Sequence, residues 1–358
     1  MTLNGGDTTP PVDAILIVSF GGPEGMDDVI PFLENVLRGK NVPRERLLEV
    51  SHHYELFGGV SPINDQNRAL ISALRAELDA AGIALPIYWG NRNWVPTIPE
   101  ALRQMRDDGI KHALAYFTSA YSSYSGCRQY RENIAAAQAE IGDGAPQVSV
   151  LRKFYNHPGF VLTNAEHVRA AYAAIPAERR DAAPLVFTAH SIPQRMADNS
   201  LYVTQLRDTC QLVAEAVGRP DWQLVYQSRS GPPSQPWLEP DILDTLRGLR
   251  ETGVQDVVVL PIGFISDHME VLYDLDTEAR QLCADIGLNM VRAATVGVHP
   301  RFIQMIRELV VERLTLPQTR PALGARGPSH DVCPVNCCPP PVRPASTMTA
   351  ATAGTASS

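Results

Sequence analysis

The chain has 358 residues, 44% of them hydrophobic, which is enough for one large or two medium domains with buried cores. No apolar run approaches the ~20 residues that cross a bilayer. The formal net charge of −8 argues against a general nucleic-acid binder, although a local basic pocket for carboxylated ligands is compatible with it.

In chain order, apolar strand patterns and amphipathic helix patterns alternate. A strand is predicted over 14–19, a helix over 64–81, a strand over 85–90, a helix over 99–107 and a strand over 112–118. A helix over 130–140, a strand over 147–151, a helix over 162–174 and a strand over 185–190 come next. The second half continues with a helix over 201–217 and strands over 223–226, 256–262 and 290–294. This alternation predicts an α/β protein whose parallel sheets are covered on both faces. The strands divide into two four-stranded lobes, 13–152 and 153–316, followed by a Cys-containing extension over 317–344. Residues 345–358 have no apolar cluster to offset ordering entropy and are expected to be disordered. The chain has no GxGxxG and no Walker-type loop, so a nucleotide is not expected. The first dozen residues carry no basic side chain and read as neither signal nor transit peptide, so a cytoplasmic protein is expected.

After the strand at 256–262 a short turn leads into a helix with His268 and Glu270 in its first turn. Glu270, Asp274 and Glu278 recur every four residues and so share one side of that helix. Such a row is either a solvated face or a track of hard oxygen ligands for a divalent cation. His190 ends another apolar run, Pro184-Leu185-Val186-Phe187-Thr188-Ala189, either as a packed core residue or as a ligand. Ligand sites in open α/β sheets lie beyond the carboxyl ends of strands, where both His190 and Glu270 fall.

Of six cysteines, Cys210 and Cys283 occupy apolar helix positions and read as core residues. Cys127, Cys333, Cys337 and Cys338 remain. Four clustered thiols in a cytosolic protein point to metal rather than disulfides, either a [2Fe–2S] cluster or structural zinc.

Long segments carry a family resemblance. Thr188-Ala189-His190-Ser191-Ile192-Pro193 and Ser266-Asp267-His268-Met269-Glu270-Val271-Leu272-Tyr273-Asp274 resemble the two signature segments of ferrochelatases, which insert ferrous iron into a porphyrin. Ser19-Phe20-Gly21-Gly22-Pro23, Phe57-Gly58-Gly59-Val60-Ser61-Pro62-Ile63-Asn64, Gln227-Ser228-Arg229-Ser230-Gly231 and Pro236-Trp237-Leu238-Glu239-Pro240 extend it in family order. The closest subgroup is actinobacterial, similar to coproporphyrin III ferrochelatases that carry a [2Fe–2S] cluster. The resemblance implies two Rossmann-like, chelatase-like lobes around a cleft. It implies His190 and Glu270 as catalytic and iron-binding, with Asp274 and Glu278 on the Fe²⁺ path. It places Ser61, Tyr130, Arg38, Tyr54 and Phe20 at the porphyrin, mostly from amino-terminal loops, and Cys127, Cys333, Cys337 and Cys338 on the cluster. Phe20 departs from the firmicute pattern, where a tyrosine able to ligate product iron stands. A cluster would pin an extension that has too little apolar surface to dock unaided. Protoporphyrin IX as substrate, a cobalt or nickel chelatase, and a non-catalytic haem or metal carrier stay as alternatives. The expected partners are coproporphyrin III and Fe²⁺, with transient contacts to neighbouring haem-pathway enzymes, no nucleic acid and no membrane span, in a monomer.

Overall fold

The computed structural model describes residues 10–39, 42–232 and 234–340. The first lobe is a parallel sheet of β1 (Ala14–Ser19), β2 (Ile87–Asn91), β3 (His112–Phe117) and β4 (Gln147–Val150) in the order β2-β1-β3-β4. Its helices are α1 (Met26–Leu37), α2 (Arg44–Glu55), α3 (Ile63–Ala80), α4 (Ile98–Asp107) and α5 (Gln129–Ile141). The second lobe repeats the plan with β5 (Leu185–His190), β6 (Trp222–Gln227), β7 (Asp256–Leu260) and β8 (Asn289–Arg292) in the order β6-β5-β7-β8. Around it lie α6 (Pro158–Ala173), α7 (Gln194–Asp198), α8 (Tyr202–Val217), α9 (Ile242–Glu251), α10 (Met269–Val271), α11 (Arg280–Ile286) and α12 (Pro300–Thr315). The expected α/β class and paired parallel sheets are therefore present.

The central strands β1, β3 and β7 are buried along their whole length, as is β5 up to His190. Helices cover both of their faces, so these strands read as continuous apolar runs rather than as alternation. The lobes do not hinge on a thin linker. One apolar cluster contains Ile15, Leu74 and Tyr116 from the first lobe and Phe160, Phe187 and Phe302 from the second. Within it, Phe154 stacks on Tyr116 at 5.4 Å and meets Phe160 edge-on at 5.5 Å. α12 follows the second sheet in sequence yet packs on α3 of the first lobe as well as on α6. A large apolar interface of this kind holds two lobes in one arrangement.

Three features differ from the sequence reading. The amino-terminal segment expected to supply loops instead forms the helices α1 and α2. These are held by a separate small cluster of Val29, Phe32, Leu33 and Leu47. Pro31 inside α1 and a strongly polar α2 hide them from a periodicity search. The helix carrying the acid row is not uniformly α: a π-helical segment, Leu272–Ala279, separates α10 from α11. And the extension is held largely by polar hooks that the sequence reading did not anticipate. Arg152 Nη2 donates to Pro321 O at 2.8 Å, and Asn156 Nδ2 donates to Leu323 O and Gly327 O at 3.2 and 2.8 Å. Leu323 N returns a bond to Asn156 O at 2.8 Å, and its side chain packs on the main core. The tail expected to be disordered, 345–358, lies outside the described residues, as do 341–344.

Arg152 is also the cation of a bidentate ion pair with Glu312 on α12, at 2.7 and 2.8 Å, with the residues only 3% and 5% exposed. Removing one charge leaves the other buried without compensation. Glu312→Gln is expected to destabilise the protein by about 3 kcal/mol, read as a lower thermal midpoint. Replacing both partners, as Arg152→Met with Glu312→Leu, should recover most of that loss. A single variant that melts like wild type would show that the pair does not matter to docking.

Candidate active site

In both sheets the chain order reverses between adjacent central strands, β1 and β3 in one lobe, β5 and β7 in the other. Crevices beyond the carboxyl ends of strands form at such points. The two crevices adjoin each other. Tyr121, just after β3, donates its hydroxyl to Ile262 O, just after β7, at 2.9 Å. Gln66 Nε2 on α3 donates to Asp267 O at 2.7 Å, and the His53 ring stacks on Tyr273 at 3.7 Å. The segment after β7 presses against β5 at Gly263, where an added Cβ would lie 2.7 Å from Ala189 Cα; only glycine permits that approach.

This approach joins the two signature segments. His190 ends β5, and its Nδ1 donates to Ser191 O. That leaves Nε2 facing Glu270 Oε1 at 3.4 Å. On the other side of the carboxylate, His268 Nε2 lies 3.9 Å from Glu270 Oε2, while His268 Nδ1 accepts the Glu270 backbone N–H at 3.2 Å and caps the helix. Glu270 thus sits between two imidazoles. Burial works against the His190 imidazolium, but the charge and hydrogen bond of Glu270 outweigh it and raise the pKa to about 9. Burial likewise opposes the Glu270 carboxylate, and His190 more than offsets it, bringing Glu270 down to about 2. His268 falls below its ordinary value, because burial exceeds the pull of Glu270. At neutral pH the resting pair is His190 imidazolium with Glu270 carboxylate.

The acid row continues from there. Burial, with Glu270 and Glu278 as like charges, raises Asp274 to about 7 against the opposing hydrogen bond from Ser228. Gln227 Nε2 bridges Glu270 O at 3.1 Å and Asp274 Oδ2 at 3.3 Å, and Thr188 Oγ1 fixes its orientation at 2.7 Å. Ser228 holds φ +63 to bring its hydroxyl onto Asp274, a left-handed conformation uncommon outside glycine. Glu278 is exposed, and partial desolvation together with Asp241 raises it. The row is therefore not a uniformly solvated face. A cavity of 360 Å³ beside it, lined by Ser191, Tyr226, Leu238, Asp241 and Asp244, contains neither His190 nor Glu270.

The first lobe faces this pair with an aromatic wall. Phe20 meets Phe32 edge-on at 6.2 Å, and Tyr54 meets Phe32 at 6.0 Å. Tyr130 is buried against Phe117 at 5.3 Å. Burial raises the Tyr54 and Tyr130 phenols, Tyr130 to about 12, and the Glu270 charge pushes both further up, so both lie within its field. Ser61 is buried under Gly22, where any Cβ would meet Ser61 Cβ at 2.6 Å. Arg38 caps α1 at the exposed edge and donates to Asn35 Oδ1 at 2.5 Å.

Sequence reasoning missed Arg92, one residue past β2. Its guanidinium lies over the Phe20 ring at 5.9 Å and makes no hydrogen bond among the described residues. Burial lowers its pKa, against the pull of Tyr130 and Tyr124. A cation directly beyond a strand end was the available signal. His268, Gln227 and Ser228 lay inside quoted motifs but had no role assigned.

The four cysteines set aside from the core come together. Cys127 is 4% exposed on a π-helical turn, Tyr124–Arg128. Cys127 and Cys333 share one interaction, which lowers the pKa of the Cys127 thiol against burial, helped by Lys153, Arg131 and His330, and raises that of Cys333. Cys337 and Cys338, though adjacent in sequence, bring their sulfurs to 3.6 Å because Cys338 adopts φ +51. That separation is near the ~3.8 Å edge of a thiolate tetrahedron about one metal. Arg128 Nη1 donates to Val335 O and Cys337 O at 3.3 and 3.4 Å. Lys153 Nζ donates to Ser119 O and Gly126 O at 2.9 and 3.0 Å, fixing a buried cation close to the thiols. Buried thiols beside cations fit a thiolate-ligated group. Cys210 and Cys283 are buried in α8 and α11, as read from the sequence.

The electrostatics of the pair can be tested directly. The raised His190 pKa contributes stability that is complete below the ordinary value near 6.5 and lost as pH rises through about 9. The depressed Glu270 pKa contributes above about 4.5, and that contribution is lost as pH falls through about 2. Nuclear magnetic resonance titration should place His190 near 9 in the wild type. In Glu270→Gln it should fall well below 9, since only the Ser191 carbonyl and Asp274 then oppose burial. An unchanged midpoint would contradict the pairing.

A family model described as ferrochelatase matches residues 12–314. A ferrochelatase of Rhodopirellula baltica is 61% identical over 333 residues, covering 92% of this chain and 94% of that protein. The coproporphyrin III ferrochelatase of Streptomyces coelicolor is 53% identical over 351 residues, covering 92% and 94%. That of Nocardia farcinica is 49% identical over 346 residues, covering 93% and 98%. Among solved structures, SirB from Bacillus subtilis with Fe³⁺ superposes with a TM-score of 0.54 at 14% identity, covering 84% of this chain and 97% of that one; this likeness concerns the fold alone. With matches running through nearly the whole length of both partners, the chain belongs to the ferrochelatase family.

Proposed function

We propose that this protein inserts Fe²⁺ into coproporphyrin III to give coprohaem in haem biosynthesis. Membership of the ferrochelatase family supports the chelatase activity, and several relatives near 50% identity carry the coproporphyrin III name. The observation that carries the reading is the placement of Glu270 between His190 and His268, facing the aromatic wall of the other lobe.

Iron insertion requires two pyrrole N–H protons to leave as a dication enters. A flat macrocycle lies against Phe20 and Tyr130, with its carboxylates reaching Arg92 and Arg38 at the wall. Strain imposed on the ring exposes the nitrogen lone pairs and moves it toward the transition state. Fe²⁺, the other substrate, moves along Glu278 and Asp274 to Glu270. There it replaces the imidazolium as the counter-charge of the carboxylate. Having lost that counter-charge, the imidazolium gives its proton to solvent, and the neutral imidazole of His190 accepts the two pyrrole protons in turn, passing the first to solvent before taking the second. A carrier would need no such proton acceptor beside its metal.

Cys127, Cys333, Cys337 and Cys338 are read as ligands of a [2Fe–2S] cluster. When bound, that group supplies a four-thiolate crosslink between the Tyr124–Arg128 turn and the extension. Among the described residues no helix is long and apolar enough to cross a membrane. A cytoplasmic monomer with transient contacts to neighbouring haem-pathway enzymes completes the reading.

Two tests address the substrate. Under anaerobic conditions with excess Fe²⁺, coproporphyrin fluorescence should disappear well beyond one equivalent of protein, and faster than protoporphyrin IX fluorescence. Loss that stops at one equivalent would mark a carrier; a protoporphyrin preference would overturn the substrate assignment. Arg92→Ala should raise KM for coproporphyrin by about tenfold, the scale of one charge-assisted hydrogen bond, with kcat little changed. An unaltered KM would remove Arg92 from carboxylate binding. For the cluster, purified protein should absorb in the visible. Cys333→Ser, Cys337→Ser or Cys338→Ser should each bleach it, while Cys210→Ser and Cys283→Ser should not. Colourless wild-type protein after anaerobic purification would contradict the cluster.

A further inference from the structure

The first turn of α3 touches both walls of the cleft. Successive residues of a helix are turned by ~100°, so Asn64 and Asn67 share one face while Gln66 lies on another. On the first face, Asn64 Nδ2 donates to Gly22 O at 3.1 Å and Asn67 Nδ2 donates to Ser19 Oγ at 2.9 Å. Both asparagines are buried, and their partners flank Phe20 on the aromatic wall. From the other face, Gln66 Nε2 crosses to the second lobe and donates to Asp267 O, just before Glu270, at 2.7 Å. Asp267 is itself held firmly. Its carboxylate takes two nitrogens of Arg292 at 3.2 Å and the Thr295 hydroxyl at 3.0 Å, and Arg292 also binds Asp276 at 2.7 Å. The far end of α3 is tied to the same lobe, where Glu77 accepts from Arg307 of α12 at 2.7 Å. Between these ends Leu70, Leu74 and Leu78 lie in the shared core. A helix packed along one face and bonded at both ends cannot tilt without breaking one of these contacts.

We propose that Gln66 is a positioning residue for metal insertion: through Asp267 it fixes the height of Glu270 over a macrocycle seated on Phe20. This inference rests on the chelatase reading above. The reaction makes that spacing matter. A ring gripped between two walls is ruffled only while the walls keep their separation. Ruffling exposes the nitrogen lone pairs, and iron at Glu270 must meet them at bonding distance. Glu270 takes its electrostatics from its own lobe, from His190 and His268. Its distance from the opposite wall is set separately, by contacts that cross the seam. Tyr121 holds the base of the seam through Ile262. The His53–Tyr273 stack comes from α2, whose apolar cluster is separate from the shared core. The Gln66 bond instead runs straight between the two walls, from Gly22 through Asn64 and one turn of helix to Asp267.

The experiment uses the full-length protein with coproporphyrin III and anaerobic Fe²⁺, and compares the wild type with Gln66→Met, which keeps the side-chain length but loses the donor. The single-turnover rate of insertion should fall by ~10- to 100-fold, the scale of a misplacement of up to ~1 Å. Porphyrin affinity should stay within about threefold, because Gln66 acts on the step and not on the ring's anchors. Resonance Raman spectra of the bound, metal-free porphyrin should lose intensity in the out-of-plane modes that report ruffling. His190 should still titrate near 9, because its pairing with Glu270 lies within the second lobe. A merely structural role would lower the thermal midpoint and shift that titration, and would leave the Raman pattern of bound porphyrin as it is in the wild type. An insertion rate close to wild type, a slow rate with an unaltered Raman pattern, or a loss explained wholly by weaker porphyrin binding would each overturn the proposal. Wild-type protein that inserts no iron would sink the functional reading and this inference with it. An active wild type beside an unaffected Gln66→Met would sink this inference alone.

Discussion

The structure depends on one electrostatic arrangement: a carboxylate held between two imidazoles at the seam of two parallel sheets. Glu270 lies 3.4 Å from His190 and 3.9 Å from His268. Glu270 is only partly buried, with 45% of its side chain exposed, so solvent as well as the two imidazoles keeps it charged. Paired in this way it stays charged, and it keeps His190 protonated in the resting protein. Asp274, which has no such cation, is instead pushed up to about 7. Neighbouring carboxyls on one helix thus differ in charge state because of what each faces. That gradient is the observation behind the proposed track for a dication.

The geometry that enforces this is apolar. The shared core running from Ile15 through Phe154 to Phe302 fixes the two sheets relative to each other. Gly263 then lets the segment after β7 approach β5 closely enough for Glu270 to reach His190. Across the seam, Tyr121 and Gln66 carry hydrogen bonds from one lobe to backbone carbonyls of the other. A π-helical segment carries Asp274 and Glu278 of the acid row, and a second carries Cys127. Both interrupt regular helix at positions that carry the chemistry, where such widened turns are often found.

Much of the fold was legible in the sequence because buried parallel strands leave uninterrupted apolar runs. β1 and β5 begin and end where those runs do. The four-residue spacing of Glu270, Asp274 and Glu278 was also readable. The π-helical winding was not, since i→i+5 bonding leaves no mark on an apolar period. α1 and α2 were missed because their stability comes from a local cluster and not from a long apolar stripe. The polar contacts of the extension were not legible for a similar reason. They include those of Arg152 and Asn156, whose partners are backbone carbonyls that no side-chain pattern announces. Arg92 was overlooked because a single cation has no periodicity; its meaning comes from the Phe20 ring beneath it.

The central claim is that Glu270 acts with His190 in insertion and not in holding the macrocycle. Rapid mixing of Glu270→Gln protein with coproporphyrin and then with anaerobic Fe²⁺ tests it most directly. Porphyrin affinity, read from the fluorescence change on binding, should match the wild type. The single-turnover rate of iron insertion should fall by ~10²–10⁴-fold, the scale of a lost acid–base group. An insertion rate within a few-fold of wild type, or a loss explained wholly by weaker porphyrin binding, would contradict the account.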